Sequence, residues 1–560
     1  MFKNDLQNHK SSFIFGVGLL IFFGFNFFSA ATLGVHFDEA YYWLFSQKPD
    51  VGYFDHPPMI AWLIYAGRLL FNNTIGLRFF IVLLSSGSVY LLWLLLKPYG
   101  EKPLLFWALT YSMLLIHPYS FIATPDASLF FFTVLFFLSY SRFISSAKTN
   151  NLLFLALATT LLLYSKYHAI LVIGFTFLSN LKILKKKEFW IYLLIVFILM
   201  LPQLFWQINH HFISFRYHLV DSHRTPYRLQ VTIDYLLNQL ALTGPWLGWL
   251  FIYFLFRTKP NGKVENALKW TGVGTFVFFF FATFSGDFEA HWTLIAFVPL
   301  LVISYKELFS HSKWQKWVYI GGTINFVFLL TLRIIAVTPI AKEIRMFTFF
   351  NGWDQDAVML KKETGDDPVV FQDCWNKAAR FAYYTNNPTV TNLNSAFHRK
   401  NQFEIWDRDE MLAGQTVCVV TADSTQFTDA TKVVTPKNRW YLKEISKFES
   451  YYDLTFEVIR QQLEGKELFV TAQINNVYEF AVCFGLQDQP ACFQLYQKAG
   501  KNWSLIDDYS INNLSIEAHS KKEIATHFNI KSGETRNLYL MLKIGELKPI
   551  PVKRKIEIDQ

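Results

Sequence analysis

Up to about residue 338 the apolar residues run on almost without interruption, neither alternating nor recurring on one helical face. Stretches such as Leu129 to Leu138 and Phe276 to Phe284 are apolar on every side, which suits helices surrounded by lipid. Breaking the runs at charges, Pro and Gly, with about 17–25 residues per span, predicts spans near 12–31, 77–96, 103–118, 126–142, 151–165, 167–181, 189–206, 232–256, 268–284, 291–305 and 317–338. That is about eleven transmembrane helices, within a membrane domain over 1–338. Beyond it the pattern changes. Val369 to Phe371 and Thr416 to Val420 read as strands and Asn376 to Tyr384 as a helix, predicting a small α/β domain over 339–440 that caps the membrane site. Glu467 to Gln473, Ala481 to Phe484, Trp503 to Ile506 and Leu538 to Lys543 predict a β-sandwich over 441–560. The stretch 435–450, with Pro436 and several charges, is the expected linker. The fold class is therefore a polytopic α-helical membrane protein with a C-terminal extracytoplasmic α/β plus β-sandwich region.

Composition agrees: of 560 residues, 52% are hydrophobic and 18% aromatic, with 59 Phe, well above soluble averages. The first segment, Ser12 to about Ala31, has the basic start of a signal peptide. It is too long for an ordinary signal core and an acidic loop follows at once, so it reads as an uncleaved span.

The formal charge of +9 changes the picture through its placement. Lys and Arg collect in alternate gaps: Lys3 and Lys10, Lys97 and Lys102, Arg142 and Lys148, Lys182 to Lys187, Arg257 to Lys269, and Lys306 to Lys316. Positive loops inside account for this without a nucleic-acid partner. The N-terminus is then cytoplasmic and the tail outside, where Cys374, Cys418, Cys483 and Cys492 are permitted to form disulfides. Their pairing stays open, and free buried thiols are an equal alternative.

With that orientation the outward gaps are 32–76, His117 to Pro125, Lys166 to His168, Gln207 to Gln230 and Ser285 to Trp292. They hold Asp38, Glu39, Asp55, His56, Asp126, Lys166, His168, His210, His211, Arg216, His218, Asp221, His223, Arg224, Asp287, Glu289 and His291. Ionisable groups gathered at one water interface point to a composite extracytoplasmic site. The plain alternative is that loops are polar anyway. Pro57-Pro58 followed by Met59, Ile60, Trp62, Leu63, Leu69 and Leu70 predicts a short interfacial helix that holds the acidic loop against the membrane.

The strings Phe37-Asp38-Glu39-Ala40-Tyr41-Tyr42-Trp43, Gly52-Tyr53-Phe54-Asp55-His56-Pro57-Pro58 and Thr124-Pro125-Asp126 resemble the bacterial polyisoprenyl-phosphate-sugar-dependent glycosyltransferases. This is the GT-C membrane class, which includes the lipid A aminoarabinose transferase and the protein O-mannosyltransferases. The resemblance covers roughly residues 10–340, with further similarity at Ala379 to Tyr384 and Arg399 to Trp406. It implies a GT-C-like membrane fold and a catalytic base at Asp38, with Glu39 beside it; Asp55 and Asp126 match two further acids of the family. Where the aminoarabinose enzymes carry Glu-Lys before the Pro-Pro pair, this chain has Asp55-His56.

The expected chemistry follows from a donor sugar already activated by its lipid phosphate: an acceptor hydroxyl must lose a proton and a phosphate must leave. Asp38 takes the proton, unless it is simply the N-cap of a helix over Glu39 to Phe45. Lys166, Arg216 and Arg78 are the candidates for the phosphate, with Arg224 and Arg228 as further choices. Lys166 interrupts an apolar stretch, where a charge is costly unless it is used or snorkels. Tyr41, Tyr42, Tyr53, Asp55, His56, Asp126, His168, Glu289 and His291 are candidate substrate contacts. A divalent metal ion at Asp55, His56, His211 and His218 is possible by ligand type, although no diagnostic spacing supports it.

The function expected is an inverting transfer from an undecaprenyl-phosphate-type donor to lipid A, another glycan or protein at the periplasmic face of a bacterial inner membrane. A flippase for lipid-linked saccharide is the alternative; it would place ionisable residues mid-span or show repeated halves. A membrane-anchored binding protein without chemistry leaves the acidic first loop unexplained.

Overall fold

The apolar runs fold as helices and the tail as sheets, in two units, Met1–Asn351 and Gly352–Gln560. The computed structural model describes residues 2–221, 227–286, 288–406, 410–484, 490–500, 502–530 and 536–556. His223, Arg224, Asp287 and the side chain of Asp221 lie outside the described residues.

In the first unit, 7 helices among the described residues are long and apolar enough to cross a bilayer: His9–Thr32, Thr74–Tyr99, Pro125–Ser145, Lys187–Asn209, Lys263–Ser285, Ala290–Ser310 and Ser312–Ala336. The remaining expected spans differ. The run 232–256 is two helices, Leu229–Thr243 and Gly248–Arg257, bent by 97°. The bend falls at Gly244, whose φ of 150° is open to glycine alone, and Pro245 supplies no backbone donor to carry the helix on. The run 103–118 is helical only over Pro103–Ser112 before 3-10 turns at Leu114–Ile116 and Pro118–Ser120. Ten residues of helix, as also in Ala169–Leu178, cover about 15 Å, half a bilayer core. Thr149–Ser165, with 17 residues, lies between the two classes.

A helix forms where the sequence after Pro57-Pro58 predicts one, over Met59–Leu70. It turns directly into the helix Thr74–Leu96, which Asn73 caps by accepting from the N–H groups of Ile75 and Gly76. The two helices touch backbone to backbone: a Cβ on Gly67 would stand 2.1 Å from the Gly76 carbonyl oxygen. This contact fixes the start of the second helix, and with it Arg78, beneath the acidic loop.

The second unit opens with helix Trp353–Thr364 and a five-stranded sheet in the order Thr391–Leu393, Val369–Gln372, Val417–Thr421, Arg439–Ile445, Thr431–Val434. The first three strands are parallel and the last two antiparallel. Arg439–Ile445 thus occupies the stretch expected as a linker, because Trp440 and Leu442 bury while Arg439 and Glu444 face out. Two larger sheets follow, one of Asn502–Ile511, Ala491–Ala499, Leu538–Ile544 and Lys553–Ile556, the other of Lys521–Asn529, Glu467–Asn475 and Thr455–Glu464, with a two-stranded pair of Leu514–Ile516 and Val482–Phe484. Leu468, Val470, Ala472 and Ile474 alternate inward along one strand and share a core with Phe493, Leu495, Leu540 and Leu542 of the other sheet. That is the geometry of a sandwich. All four cysteines are free.

Candidate active site

The acidic loop is organised by a helix, Phe37–Gln47, whose N-cap is His36 and not Asp38. The His36 ring nitrogen accepts from the Asp38 N–H at 3.4 Å, and Glu39 reaches back to accept from the His36 N–H at 2.9 Å. These are the two halves of a capping box, and they satisfy donors that a helix start leaves open.

Asp38 and Glu39 are neighbours in sequence but point to different sides of this helix, since successive residues turn by about 100°. Glu39 is fully buried and takes a forked pair from Arg78, Nε to Oε1 and Nη2 to Oε2, both at 2.6 Å. The Ala123 N–H donates to Glu39 Oε1 at 2.8 Å. Arg78 also donates to the carbonyls of Ala30, Leu33 and Gly34 at 3.1, 2.8 and 2.7 Å. One ion pair therefore ties together the end of the first span, the acidic helix, the helix Thr74–Leu96 and the segment before Pro125. Burial alone would raise the Glu39 carboxyl; the Arg78 charge and the hydrogen bonds from Arg78, Ala123 and His36 outweigh it and hold it below the ordinary carboxylate value.

Asp38 keeps a partly open carboxylate, 34% exposed, whose Oδ2 stands 3.5 Å from His36 Nδ1. Across from it, Lys166 Nζ donates to both oxygens of Asp126 at 2.8 and 2.9 Å. His291 Nε2 stands 3.9 Å from Asp126 Oδ2, and the charges of Asp126, Lys166 and Asp38 all act on its ring. His168 interacts with the charges of Lys166, Asp126, His218 and His291, and its ring lies 5.5 Å from that of Trp292. Asp38, Asp126, Lys166, His168 and His291 thus come together from four separate stretches of chain.

Tyr119, which the sequence did not single out, belongs to the same group. Its ring lies 5.4 Å from His291, and its phenol is pushed well up by burial and then by the Asp126, Asp38 and Glu289 carboxylates. A tyrosine in a three-residue turn between two spans carries no pattern that would have marked it. Glu289 itself is exposed.

A second group surrounds Asp55. Tyr41 OH donates to Asp55 Oδ2 at 2.8 Å, and a His218 ring nitrogen lies 2.8 Å from the Asp55 carbonyl oxygen. The His56 ring stands 5.6 Å from Tyr42 and 6.3 Å from His218. Tyr53 is buried and serves the loop: its hydroxyl donates to the carbonyls of Phe45 and Lys48 and its ring stacks on Phe45 at 4.3 Å. Ser214 Oγ donates to the Tyr53 carbonyl at 2.9 Å, which brings the short helix Ile213–Arg216 beside the acidic loop. Arg216 on that helix is exposed, as is His211 with φ 51°. Among the described residues no three His, Cys, Asp or Glu side chains converge as metal ligands.

Three similarities to known proteins bear on this geometry. The family profile described as dolichyl-phosphate-mannose-protein mannosyltransferase matches residues 55–206, a stretch that includes Asp55, Arg78, Asp126 and Lys166. The lipid A galacturonosyltransferase RgtD of Rhizobium johnstonii is 24% identical over 340 residues, covering 58% of this chain and 71% of that protein. The crystal structure of ArnT from Cupriavidus metallidurans in the apo state superposes with a TM-score of 0.57 at 10% identity, covering 78% of this chain and 98% of ArnT. The same ArnT bound to undecaprenyl phosphate gives 0.56 at 12% identity, over 77% and 97%.

Proposed function

We infer that this chain, a membrane glycosyltransferase of the GT-C class, moves a sugar from undecaprenyl phosphate to a lipid A-type acceptor at the periplasmic face of the inner membrane. The observation that carries the reading is the meeting of the half-open Asp38 carboxylate with the Asp126–Lys166 pair around Tyr119 and His291. The donor is supported by the undecaprenyl phosphate bound to the structurally similar ArnT, and the acceptor by the name of the lipid A-modifying relative. The face is supported by the basic gaps alternating along the membrane unit.

In this reaction the acceptor oxygen attacks the anomeric carbon as Asp38 takes its proton, the carbon–oxygen bond to phosphate breaks, and polyprenyl phosphate leaves. A single displacement inverts the anomeric centre. Lys166 is neutralised by Asp126 but lies within reach of a developing anion, and Arg216 offers an exposed guanidinium for the phosphate. Glu39 and Arg78 act as a clamp that sets the acidic helix, so the pair positions Asp38 instead of sharing its chemistry. Tyr41, Tyr42, Asp55, His56 and His218 form the neighbouring wall, a place for the acceptor or the sugar hydroxyls.

The test is transfer by the purified protein in liposomes supplied with undecaprenyl phosphate-linked sugar and lipid A. A modified lipid A detected by mass spectrometry supports the reading. Donor consumed only when a glycan or a protein is added moves the acceptor to that class. Donor never consumed, with any of these acceptors, overturns it.

A further inference from the structure

The imidazole of His36 faces Asp38 through a single nitrogen that has two incompatible uses. Nδ1 accepts from the Asp38 N–H at 3.4 Å and stands 3.5 Å from the Asp38 carboxylate oxygen Oδ2. An unprotonated Nδ1 can do only the first, and a protonated Nδ1 only the second. In the neutral ring the nitrogen caps the helix and leaves the carboxylate unpaired with it. In the charged ring the cap is given up and Nδ1–H pairs with Oδ2, competing with the acceptor hydroxyl for the same oxygen. The ring is held for this task on its other faces: it lies 4.1 Å from Phe37, 5.9 Å from Phe349 and 5.8 Å from Phe350. The aromatic neighbours carry no charge, and the charged groups shown around it are Asp38, Glu39, which accepts its N–H at 2.9 Å, and Arg78 behind Glu39.

We propose that His36 is a further positioning residue of Asp38, leaving the carboxylate available to the acceptor when the imidazole is neutral and withdrawing it when the imidazole is protonated. This rests on Asp38 being the base of the proposed transfer. Both side chains are partly solvated, at 20% and 34% exposure, so the pairing is modest and its effect is about five-fold or less. The wild-type pH profile then carries a shallow step that an uncharged residue at position 36 lacks.

The experiment compares wild type with His36→Asn and His36→Ser in liposomes, reading kcat and KM for transfer from pH 5 to 9. Both replacements keep a good helix cap, and neither can charge. The expected result is an active enzyme whose profile lacks the shallow step, with KM for the lipid-linked sugar unchanged. Variant profiles that superpose on wild type overturn the proposal. So does loss of all activity in both variants while binding of undecaprenyl phosphate alone is intact, since a neutral cap should leave Asp38 competent. Asp38→Asn run in parallel separates the two levels: full activity there sinks the transfer mechanism itself, whereas inactivity with an unaltered His36→Asn profile sinks only the role of His36.

Discussion

Lys166 and Asp126 lie 40 positions apart in sequence and meet with both carboxylate oxygens within 2.9 Å of one ammonium, each side chain about 95% buried. A charge pair in such a place is stable only as a pair. Removing one partner strands the other, at a cost of about 3–5 kcal/mol. Lys166→Met or Asp126→Asn is therefore expected to lower the unfolding temperature in detergent markedly. The double replacement Lys166→Met with Asp126→Leu should recover much of that stability and none of the transfer. Recovery of transfer together with stability would mean the pair has only a structural role.

The clamp between Glu39 and Arg78 gives a second expectation. Arg78→Lys keeps the charge but not the fork that serves two carboxylate oxygens and three carbonyls at once. It should destabilise the membrane unit by about 2–4 kcal/mol and lower kcat more than it changes KM, because Asp38 sits on the helix that the clamp sets. Hydrogen exchange over residues 36–47 would read the loosening directly.

The same clamp fixes a pH dependence. Burial works against the Glu39 carboxylate, but Arg78 and the surrounding donors hold its carboxyl below the ordinary 4.5, so in acid the unfolded chain binds a proton that the folded chain refuses. This contribution is present above about pH 4.5 and is lost as pH falls below it. Glu39→Gln should flatten the acid side of the stability curve while lowering its plateau, as thermal scans in detergent at a series of pH values would show.

Glu404 works in the opposite direction. It is half-buried in the second unit with the Asn401 N–H at 2.6 Å, and desolvation pushes its carboxyl up to about 7, against the pull of hydrogen bonds from Asn401 and Asn394. Between about pH 4.5 and 7 the folded state holds the proton more tightly than the unfolded state. The Glu404 contribution is thus greatest in acid and declines as pH rises through that window, by about 3 kcal/mol. Glu404→Gln should remove the decline, measured by hydrogen exchange of residues 391–405 in the full chain at pH 5 and pH 8.

Much of this arrangement was legible in the sequence because lipid imposes a one-dimensional code. Long apolar runs gave the helices that span 9–32, 74–99 and 187–209, and period-two burial gave strands such as Glu467–Asn475. What composition could not show was where a run is cut. The bend at Gly244 and the 3-10 turn Leu114–Ile116 cut the runs 232–256 and 103–118, which hydropathy alone reads as continuous. At the site, Asp38, Asp126 and Lys166 were visible as charges out of place. The separation of Glu39 from Asp38 was not, because Glu39 is claimed by an arginine 39 positions away and no local pattern carries such a contact. Tyr119 was silent for a related reason, since only the folded chain surrounds it with carboxylates.

The central claim is that the Asp38 carboxylate removes the acceptor's proton, and single-turnover transfer by Asp38→Asn tests it most directly. With donor-lipid binding and unfolding temperature matched to wild type, the rate of sugar transfer should drop by about 100-fold or more. Transfer at the wild-type rate by a folded, donor-bound Asp38→Asn protein would contradict it.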